Sequence, residues 1–217
     1  FFHAEDGIRD PLWSRGLGDV YKRQSQLRTT IFSTPILTPI LRVISIVILR
    51  IIGWETKGKE ISHQRFVLIG APHTSNWDFP LMLLVILKLK LRIFWMGKDT
   101  LFPFPFAGLM RWLGGIPINR AASHNVVRET VRQYKDNKEL VVLIPPEGTR
   151  SKVTKWKTGF YHIANLAKVP ILLGYVDFKN REAGFVDFFY PTGDLESDME
   201  EIRKFYAPLK GLIADNS

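Results

Sequence analysis

The sequence predicts an α/β domain in which helices flank a largely parallel sheet. Short β-branched apolar runs, clearest at residues 140–144 and 66–70, have the length and composition of buried strands. Segments with a helical period separate these runs along the chain. Strands that alternate with helices favour crossover connections, which place neighbouring strands parallel to one another.

The bounds of the predicted elements follow from where each apolar run begins and ends. We place strands at 66–70, 91–96, 140–144 and 171–178, an edge strand at 185–190, and helices at 79–87, 126–136, 160–167 and 197–209. Residues 99–113 are aromatic and are interrupted by Pro103 and Pro105. Residues 114–120 are predicted to form a loop, because two glycines open that stretch.

Composition limits the class of partner without choosing one. The 217-residue chain is long enough for one domain with a sizeable core. Its 30 Lys and Arg residues against 21 Asp and Glu leave a net charge of +9, so the protein is expected to bind something anionic. Nucleic acid, an acidic bilayer surface and a phosphorylated small substrate all satisfy that charge. The lack of cysteine excludes disulfides, a thiol nucleophile and thiolate zinc sites.

The chain is predicted to have three parts. Residues 1–24 show neither helical nor strand periodicity and resemble the translated read-through of a sequencing adapter, so we expect a non-native leader there. Residues 25–60 are predicted to hold a membrane-interface helix. Residues 61–217 are predicted to form the α/β domain.

The helix of the second part is expected to be amphipathic. A helix from Ile40 to Trp54 would have about 15 residues and a length of ~22 Å, which is shorter than the ~30 Å core of a bilayer. Arg42, Ser45 and Arg50 fall on one side of it, and branched apolar residues cover the other. That pattern is typical of a helix that lies in the membrane interface. A helix that packs into the core is the alternative.

A candidate catalytic pair follows the first predicted strand. An imidazole is a natural general base near neutral pH, and a carboxylate can fix its tautomer, so we interpret His73 and Asp78 as a base and its orienting group. Residues five apart on a helix lie ~140° from each other. We therefore expect His73 in the loop and Asp78 in the first turn of the next helix, where Ser75 and Asp78 can form a capping box. A helix-cap role for Asp78 alone is the simpler alternative.

A second polar loop follows the strand at 140–144. The loops at the carboxyl ends of parallel strands share one edge of a sheet, so Glu147 is expected near His73 although the two are 74 positions apart. Arg150 offers a planar fork for phosphate, and Glu147 could orient Arg150 or bind the hydroxyls of a substrate. Gly148 allows backbone N–H groups to approach a ligand closely. The loop at 114–120 adds Arg120 as a second anion anchor.

These segments together resemble the glycerolipid acyltransferase superfamily, typified by the lysophosphatidic acid acyltransferases. His73 and Asp78 match its His-x4-Asp motif, with Ser75 at the position where serine is usual. Gly114, Ile118 and Arg120 match its second block. Residues 146–151 match its Pro-Glu-Gly-Thr-Arg-Ser block almost completely, and residues 169–171 resemble its apolar-Pro block. The resemblance covers residues 67–178.

The resemblance implies a glycerol-3-phosphate acyltransferase-like fold and a direct acyl transfer. The donor would be acyl-CoA or acyl carrier protein, and the acceptor a lysophospholipid, with lysophosphatidic acid expected and another lyso-lipid as the alternative. The implied catalytic residues are His73 and Asp78. The implied substrate-binding residues are Ser75, Arg120, Glu147, Gly148, Thr149 and Arg150. No metal, cofactor or nucleic acid is implied, and the expected location is the cytoplasmic face of the cell membrane, peripheral or monotopic.

Three rival functions are weaker. A serine hydrolase that uses Ser75 would need a Gly-x-Ser-x-Gly elbow, which the sequence lacks. A nucleic-acid-binding module would explain the charge, but the basic residues are scattered and no recognition motif is present. An inactive membrane scaffold would not need His73, Asp78, Glu147 and Arg150 together.

Overall fold

The computed structural model describes residues 28–58, 61, 63–118, 123–149, 151, 153, 155–209 and 211. The predicted leader at 1–24 lies outside the described residues and stays a prediction. The strands are β1 (Glu55–Lys57), β2 (Arg65–Ala71), β3 (Phe94–Lys98), β4 (Gly115–Ile118), β5 (Leu140–Ile144), β6 (Ile171–Asp177) and β7 (Glu182–Phe189). The helices are α1 (Leu37–Ile51), α2 (Asp78–Lys88), α3 (Ala107–Trp112), α4 (Ser123–Asp136), α5 (Gly159–Ala167) and α6 (Leu195–Tyr206), with a 3₁₀ turn at Asp99–Leu101.

The strands form one sheet in the order β1-β7-β6-β2-β5-β3-β4. The five strands from β6 to β4 are parallel, whereas β7 runs antiparallel to β6 and β1 is parallel to β7. The predicted α/β class with a largely parallel sheet is therefore confirmed. The chain leaves β2 toward one side of the sheet, for β3 and β4, and later returns to form β6 on the other side of β2.

Two details of the predicted sheet are wrong. The strand predicted at 185–190 begins earlier, at Glu182, and β7 is not at the edge over residues 182–184, because the short strand β1 pairs with it there. The stretch from Gly115 to Ile118 is strand β4 and not a loop. Pro117 lies in that strand. Proline is tolerated there because β4 is at the edge of the sheet, and the outer side of an edge strand needs no N–H donors.

Helices cover both faces of the sheet. One face packs against α4, α5 and α6, where the fully buried side chains include Tyr134, Phe160 and Ile202. The other face packs against α2 and against the segment before α1, through Ile86, Phe66 and neighbouring side chains. Because both faces are buried, the central strands are apolar along nearly their whole length, as β2 and β5 show.

Helix α1 begins at Leu37, so Pro39 lies inside its first turn and not before the helix as predicted. Proline is tolerated there because the first N–H groups of a helix have no intrahelical acceptor. Ser45 and Leu49 are the buried side chains of α1, and Arg42 Nε donates to the Lys88 carbonyl at 3.4 Å. Of the predicted polar side, Arg42 and Ser45 thus face the protein, whereas Arg50 is exposed. No helix in the described ranges is both long enough and apolar enough to cross a membrane.

Candidate active site

The candidate site lies where β2 and β5 end side by side. These strands are parallel neighbours, and Ile69 of β2 is in register with Ile144 of β5. The loops that follow them therefore leave the same edge of the sheet. The backbone N–H of His73 donates to Glu147 Oε2 at 2.8 Å. The prediction that His73 and Glu147 meet at this edge is confirmed.

The His73 ring contacts the Asp78 carboxylate. Nδ1 of His73 lies 3.0 Å from Oδ2 of Asp78, and Asp78 is the first residue of α2. Asp78 is buried, whereas the His73 side chain is part-exposed. An ionised carboxylate only accepts hydrogen bonds, so Nδ1–H donates and the lone pair of Nε2 is left to receive a proton from a ligand. This arrangement suits general-base chemistry at Nε2.

The Asp78 carboxylate also orders the backbone of the loop. Its Oδ2 accepts hydrogen bonds from the N–H groups of Thr74 and Ser75, each at 2.8 Å. A single oxygen therefore fixes both the ring of His73 and the chain that follows it. Oδ1 of Asp78 is buried and has no hydrogen-bond partner among the described residues. Loss of Asp78 would leave two backbone donors of this loop without an acceptor, which is costly in a buried position.

The predicted capping box is half formed. The Asp78 side chain accepts from the N–H of Ser75, as a capping box requires. The Ser75 hydroxyl, however, accepts from the N–H of Trp77 at 3.2 Å and not from that of Asp78. Residues 75–77 form a turn ahead of the helix, and Asp78 is turned back toward His73. The helix-cap role and the orienting role therefore belong to the same oxygen.

Glu147 contacts the loop of His73 and has no described contact with a basic side chain. Its side chain is buried, and burial raises the pKa of its carboxyl group. The hydrogen bond from the His73 N–H and the charge of His73 act in the opposite direction, and the charge of Asp78 adds to the increase of the pKa. The sequence predicted that Glu147 lies near His73, but not that it accepts a hydrogen bond from the His73 backbone.

Of the remaining predicted site residues, the structure describes Gly148 and Thr149. Gly148 has a φ of 67°, a backbone conformation that glycine adopts without strain, and its N–H donates to the Pro145 carbonyl at 3.3 Å. Thr149 is exposed at the surface beside it. Arg120 and Arg150 lie outside the described residues, so their roles as anion anchors stay predictions.

Two residues of this neighbourhood were missed by the sequence analysis. Thr74 is buried and supplies one of the N–H donors to Asp78. Tyr206 of α6 is buried, and its hydroxyl donates to the Gly174 carbonyl at 2.7 Å. Burial raises the pKa of Tyr206 well above its ordinary value, and the nearby charge of Glu147 adds to this. Nothing in the sequence pairs Tyr206 with Glu147, because the two are far apart along the chain.

The site chemistry rests on one imidazole, two carboxylates and backbone donors. No group of three or more His, Cys, Asp or Glu side chains in the described part of the chain is arranged to hold a metal ion. The exposed ring of Trp77 stands beside the pair, one residue before Asp78.

The chain is similar to known proteins in sequence and in fold. The family model described as Acyltransferase matches residues 54–172. A 1-acyl-sn-glycerol-3-phosphate acyltransferase of Haemophilus influenzae is 32% identical over 121 residues, and the match covers 52% of this chain and 48% of that protein. The chain thus spans about half the length of this curated relative. The crystal structure of the 1-acyl-sn-glycerophosphate (LPA) acyltransferase PlsC from Thermotoga maritima superposes with a TM-score of 0.57 at 19% identity. That match covers 88% of this chain and 85% of the other, and it shows a shared fold.

Proposed function

Because the chain belongs to the acyltransferase family, we propose that it transfers a fatty acyl group to a hydroxyl of a lysophospholipid. The observation that carries the proposal is the contact of 3.0 Å between His73 Nδ1 and Asp78 Oδ2 at the carboxyl edge of the sheet. Lysophosphatidic acid, giving phosphatidic acid, is the acceptor that the relatives' names support. Another lyso-lipid is the alternative acceptor.

The geometry supports a direct transfer with His73 as the base. Nε2 takes the proton of the acceptor hydroxyl as its oxygen attacks the carbonyl carbon of the acyl thioester. The carbon–sulfur bond then breaks, and the leaving thiolate takes the proton back from the imidazolium. Asp78 holds the tautomer and stabilises the cation that forms between these steps. No covalent acyl-enzyme is needed, because the acceptor oxygen itself is the nucleophile.

Glu147 acts in this proposal by holding the base in place. Its bond to the N–H of His73 fixes the backbone from which the ring projects. In this proposal Arg120 and Arg150 bind the phosphate of the acceptor. The polar glycerol part of the acceptor is expected to contact Ser75, Gly148 and Thr149. Both arginines carry a guanidinium whose paired donors suit phosphate oxygens.

The acyl donor is a thioester on CoA or on acyl carrier protein. Both deliver the same reactive carbonyl, and the described residues favour neither. No cofactor is needed for this reaction, since the thioester supplies the free energy for the transfer.

Attachment to a membrane surface is supported by the outward side of α1. Ten large apolar residues between Ile36 and Ile52 are exposed, including Val43, Ile44 and Ile51. Monomeric soluble proteins rarely expose so continuous an apolar patch. Residues 28–54 contain arginines and no acidic residue, which suits an anionic surface. We infer peripheral or monotopic attachment through α1, and its location on the cytoplasmic face of the cell membrane stays a prediction.

Mass spectrometry of lipid products tests the proposed function directly. The protein would be incubated with a mixture of lyso-lipids in vesicles, once with acyl-CoA and once with acyl carrier protein as the donor. We expect a product heavier by one acyl group, chiefly phosphatidic acid, that the His73→Ala variant does not form. If the wild-type protein acylates none of the lyso-lipids with either donor, the proposed reaction is wrong. If an acceptor other than lysophosphatidic acid is preferred, only the acceptor assignment is wrong.

A further inference from the structure

A second exposed apolar surface lies beside the candidate active site. It is formed by residues 101–109, here named the aromatic segment, which follow β3 at the carboxyl edge of the sheet. Phe104 is 95% exposed and Phe106 is 58% exposed, and Leu101 and Leu109 also face solvent. Side chains of this size are seldom left so exposed together in a soluble protein.

A chain of aromatic contacts connects this segment to the catalytic pair. The Phe79 ring, which follows Asp78 in α2, meets Trp95 of β3 edge-on at a centroid distance of 4.9 Å. Trp95 stacks on Phe102 at 5.7 Å. The base of the aromatic segment is therefore linked through Trp95 to the start of α2, and the segment leaves the same edge of the sheet as the loop of His73.

Hydrogen bonds connect the other end of the segment to the start of α1. The N–H of Ile31 donates to the Trp112 carbonyl at 2.8 Å, and Trp112 Nε1 donates to the Thr34 hydroxyl at 3.0 Å. Leu109 lies one helical turn before Trp112, and Ile36 lies two residues after Thr34. The helix that follows the aromatic segment and the start of α1 are thus neighbours, and both carry exposed apolar residues.

We propose that the aromatic segment is a second membrane contact, which inserts Phe104 and Phe106 into the same anionic bilayer that binds α1. This inference rests on the proposed attachment through α1. Two separate contacts fix the orientation of a protein on a surface, whereas a single helix leaves it free to roll. The orientation fixed here places the edge that bears His73 against the lipid headgroups, with Trp77 at the interface, a depth that tryptophan prefers.

A bilayer fits this surface better than the acyl chain of a donor does. A site for an apolar ligand is concave and buries most of the ligand's surface. Phe104 instead projects with nearly all of its own surface in solvent. Lys98 is exposed at the start of this region and Arg111 lies near its end, so two basic residues flank the segment against one acidic residue, Asp99. Such flanks are attracted to anionic headgroups.

The lack of cysteine makes a labelling experiment specific. Phe106→Cys would carry an environment-sensitive nitrobenzoxadiazole dye, and Leu166→Cys would be the matched control, because both side chains are 58% exposed and Leu166 lies on α5. Ile44→Cys would report attachment through α1. On vesicles of phosphatidylcholine and phosphatidylglycerol we expect a blue shift and a severalfold rise of emission at positions 106 and 44, and no change at 166.

Each other outcome has a definite meaning. A response at 44 without one at 106 overturns the second contact and leaves the attachment through α1 intact. A response at 106 without one at 44 supports the contact and overturns α1 as the anchor. No response at either position overturns both the second contact and the attachment through α1, but leaves the acyl-transfer proposal intact. A response at 106 to monomeric acyl-CoA without vesicles assigns the surface to the donor's chain, and overturns the bilayer contact.

A functional variant tests the same contact. Phe104→Asp should fold normally, because the side chain it replaces is already in solvent. Burial of a phenylalanine side chain in lipid contributes ~1.5–3 kcal/mol, so its loss should weaken vesicle binding by roughly tenfold or more. Acyl transfer should fall on vesicle substrate and stay within about twofold of wild type on a water-soluble short-chain acceptor. Equal losses on both substrates would place Phe104 in the active site and contradict the proposal.

Discussion

Helices α1 and α2 pack against each other, and both are apolar. The apolar side of α2 is buried, however, whereas that of α1 is exposed. Helix α2 buries Leu81, Val85 and Ile86 between α1 and the sheet, and it begins with the buried Asp78. Helix α1 buries Ser45 and Leu49 and exposes most of its branched residues. The polar residues are placed correspondingly: in α1, Arg42 and Ser45 turn toward the protein, and in α2 the Asp78 carboxylate turns toward the site.

The two helices share one interface, but this difference gives them separate functions: α2 supports catalysis and α1 is proposed to contact the membrane. The apolar side of α2 is buried in the core, and this packing holds the first turn of the helix in place. The Asp78 carboxylate in that turn lies within hydrogen-bond distance of His73. The core does not cover the apolar side of α1, so that side is available to contact the apolar part of a membrane. Variants on α2 or its site should alter catalysis or folding on any substrate, whereas variants on the outer side of α1 should act only when a membrane is present.

The largest expected effect is that of His73→Ala. Removal of a general base usually costs ~10²–10⁴-fold in rate. Acyl transfer should fall by that factor both on vesicles and on detergent-dispersed substrate, with an unchanged circular dichroism spectrum. Asp78→Asn, which keeps an acceptor for the backbone N–H groups, should cost less than His73→Ala. A His73→Ala variant within about threefold of wild type would contradict the mechanism.

The same substitution on the two helices sharpens the comparison. Ile44 of α1 is 45% exposed and Ile86 of α2 is 2% exposed. Ile86→Asp should lower the free energy of unfolding by about 3 kcal/mol or more, because it buries a carboxylate without a partner. Ile44→Asp should change it by less than about 0.5 kcal/mol in solution. Ile44→Asp should instead weaken vesicle sedimentation by roughly tenfold, since the burial of that side chain in lipid is lost.

Denaturant unfolding and vesicle sedimentation of both variants would check this pair. If Ile44→Asp unfolds the protein as Ile86→Asp does, α1 packs into the core on both sides and the membrane assignment is wrong. If Ile44→Asp binds vesicles as well as wild type, α1 is not the anchor.

Arg150→Lys is expected to have a smaller effect, confined to the acceptor. Lysine keeps the charge but loses the paired donors of the guanidinium, and one charge-assisted hydrogen bond contributes ~1.5–3 kcal/mol. The KM for the acceptor should rise by roughly tenfold on vesicles and in detergent alike. Steady-state kinetics with each substrate varied in turn would measure it. A rise of the donor KM alone would place Arg150 on the thioester side.

The smallest expected effect is the pH dependence of stability that Glu147 contributes. Burial raises its pKa in the folded protein above the value of about 4.3 of a free glutamate. The folded state therefore holds the proton at a pH where the unfolded state has lost it, so stability falls as pH rises through this window. Glu147→Gln removes the titrating group and keeps an oxygen for the His73 N–H.

Thermal melts at a series of pH values that starts near the unfolded value of about 4.3 and rises from there would compare Glu147→Gln with wild type. The melting temperature of the variant should decline less than that of wild type as the pH rises. Glu147→Ala, which also loses the bond to His73, is the control and should reduce acyl transfer more than Glu147→Gln does. Parallel pH profiles for wild type and Glu147→Gln would show that Glu147 is not the titrating group.

Local patterns predicted most of the fold. The strand at Leu140–Ile144 has the predicted bounds, and the helix predicted at 79–87 is one residue longer at each end. These elements are set by short-range periodicity and by the length of apolar runs. Strand β1 was not predicted, because its three residues carry no periodicity and pair only with β7, more than 120 residues later. β4 was interpreted as a loop because two glycines open that stretch, and Pro117 also disfavours a strand unless the strand lies at the edge of the sheet.

For the site, the sequence by itself determined the residue types and the edge at which they meet. His73 and Asp78 are close along the chain, so their spacing limits how they touch, and the parallel topology was enough to bring Glu147 to the same edge. The tertiary structure decided what each group touches. The contact of Glu147 with the His73 N–H, the burial of Tyr206 near Glu147 and the outward side of α1 depend on distances between elements that no local pattern encodes. Packing settled them, because only the folded chain shows which apolar sides the core has already covered.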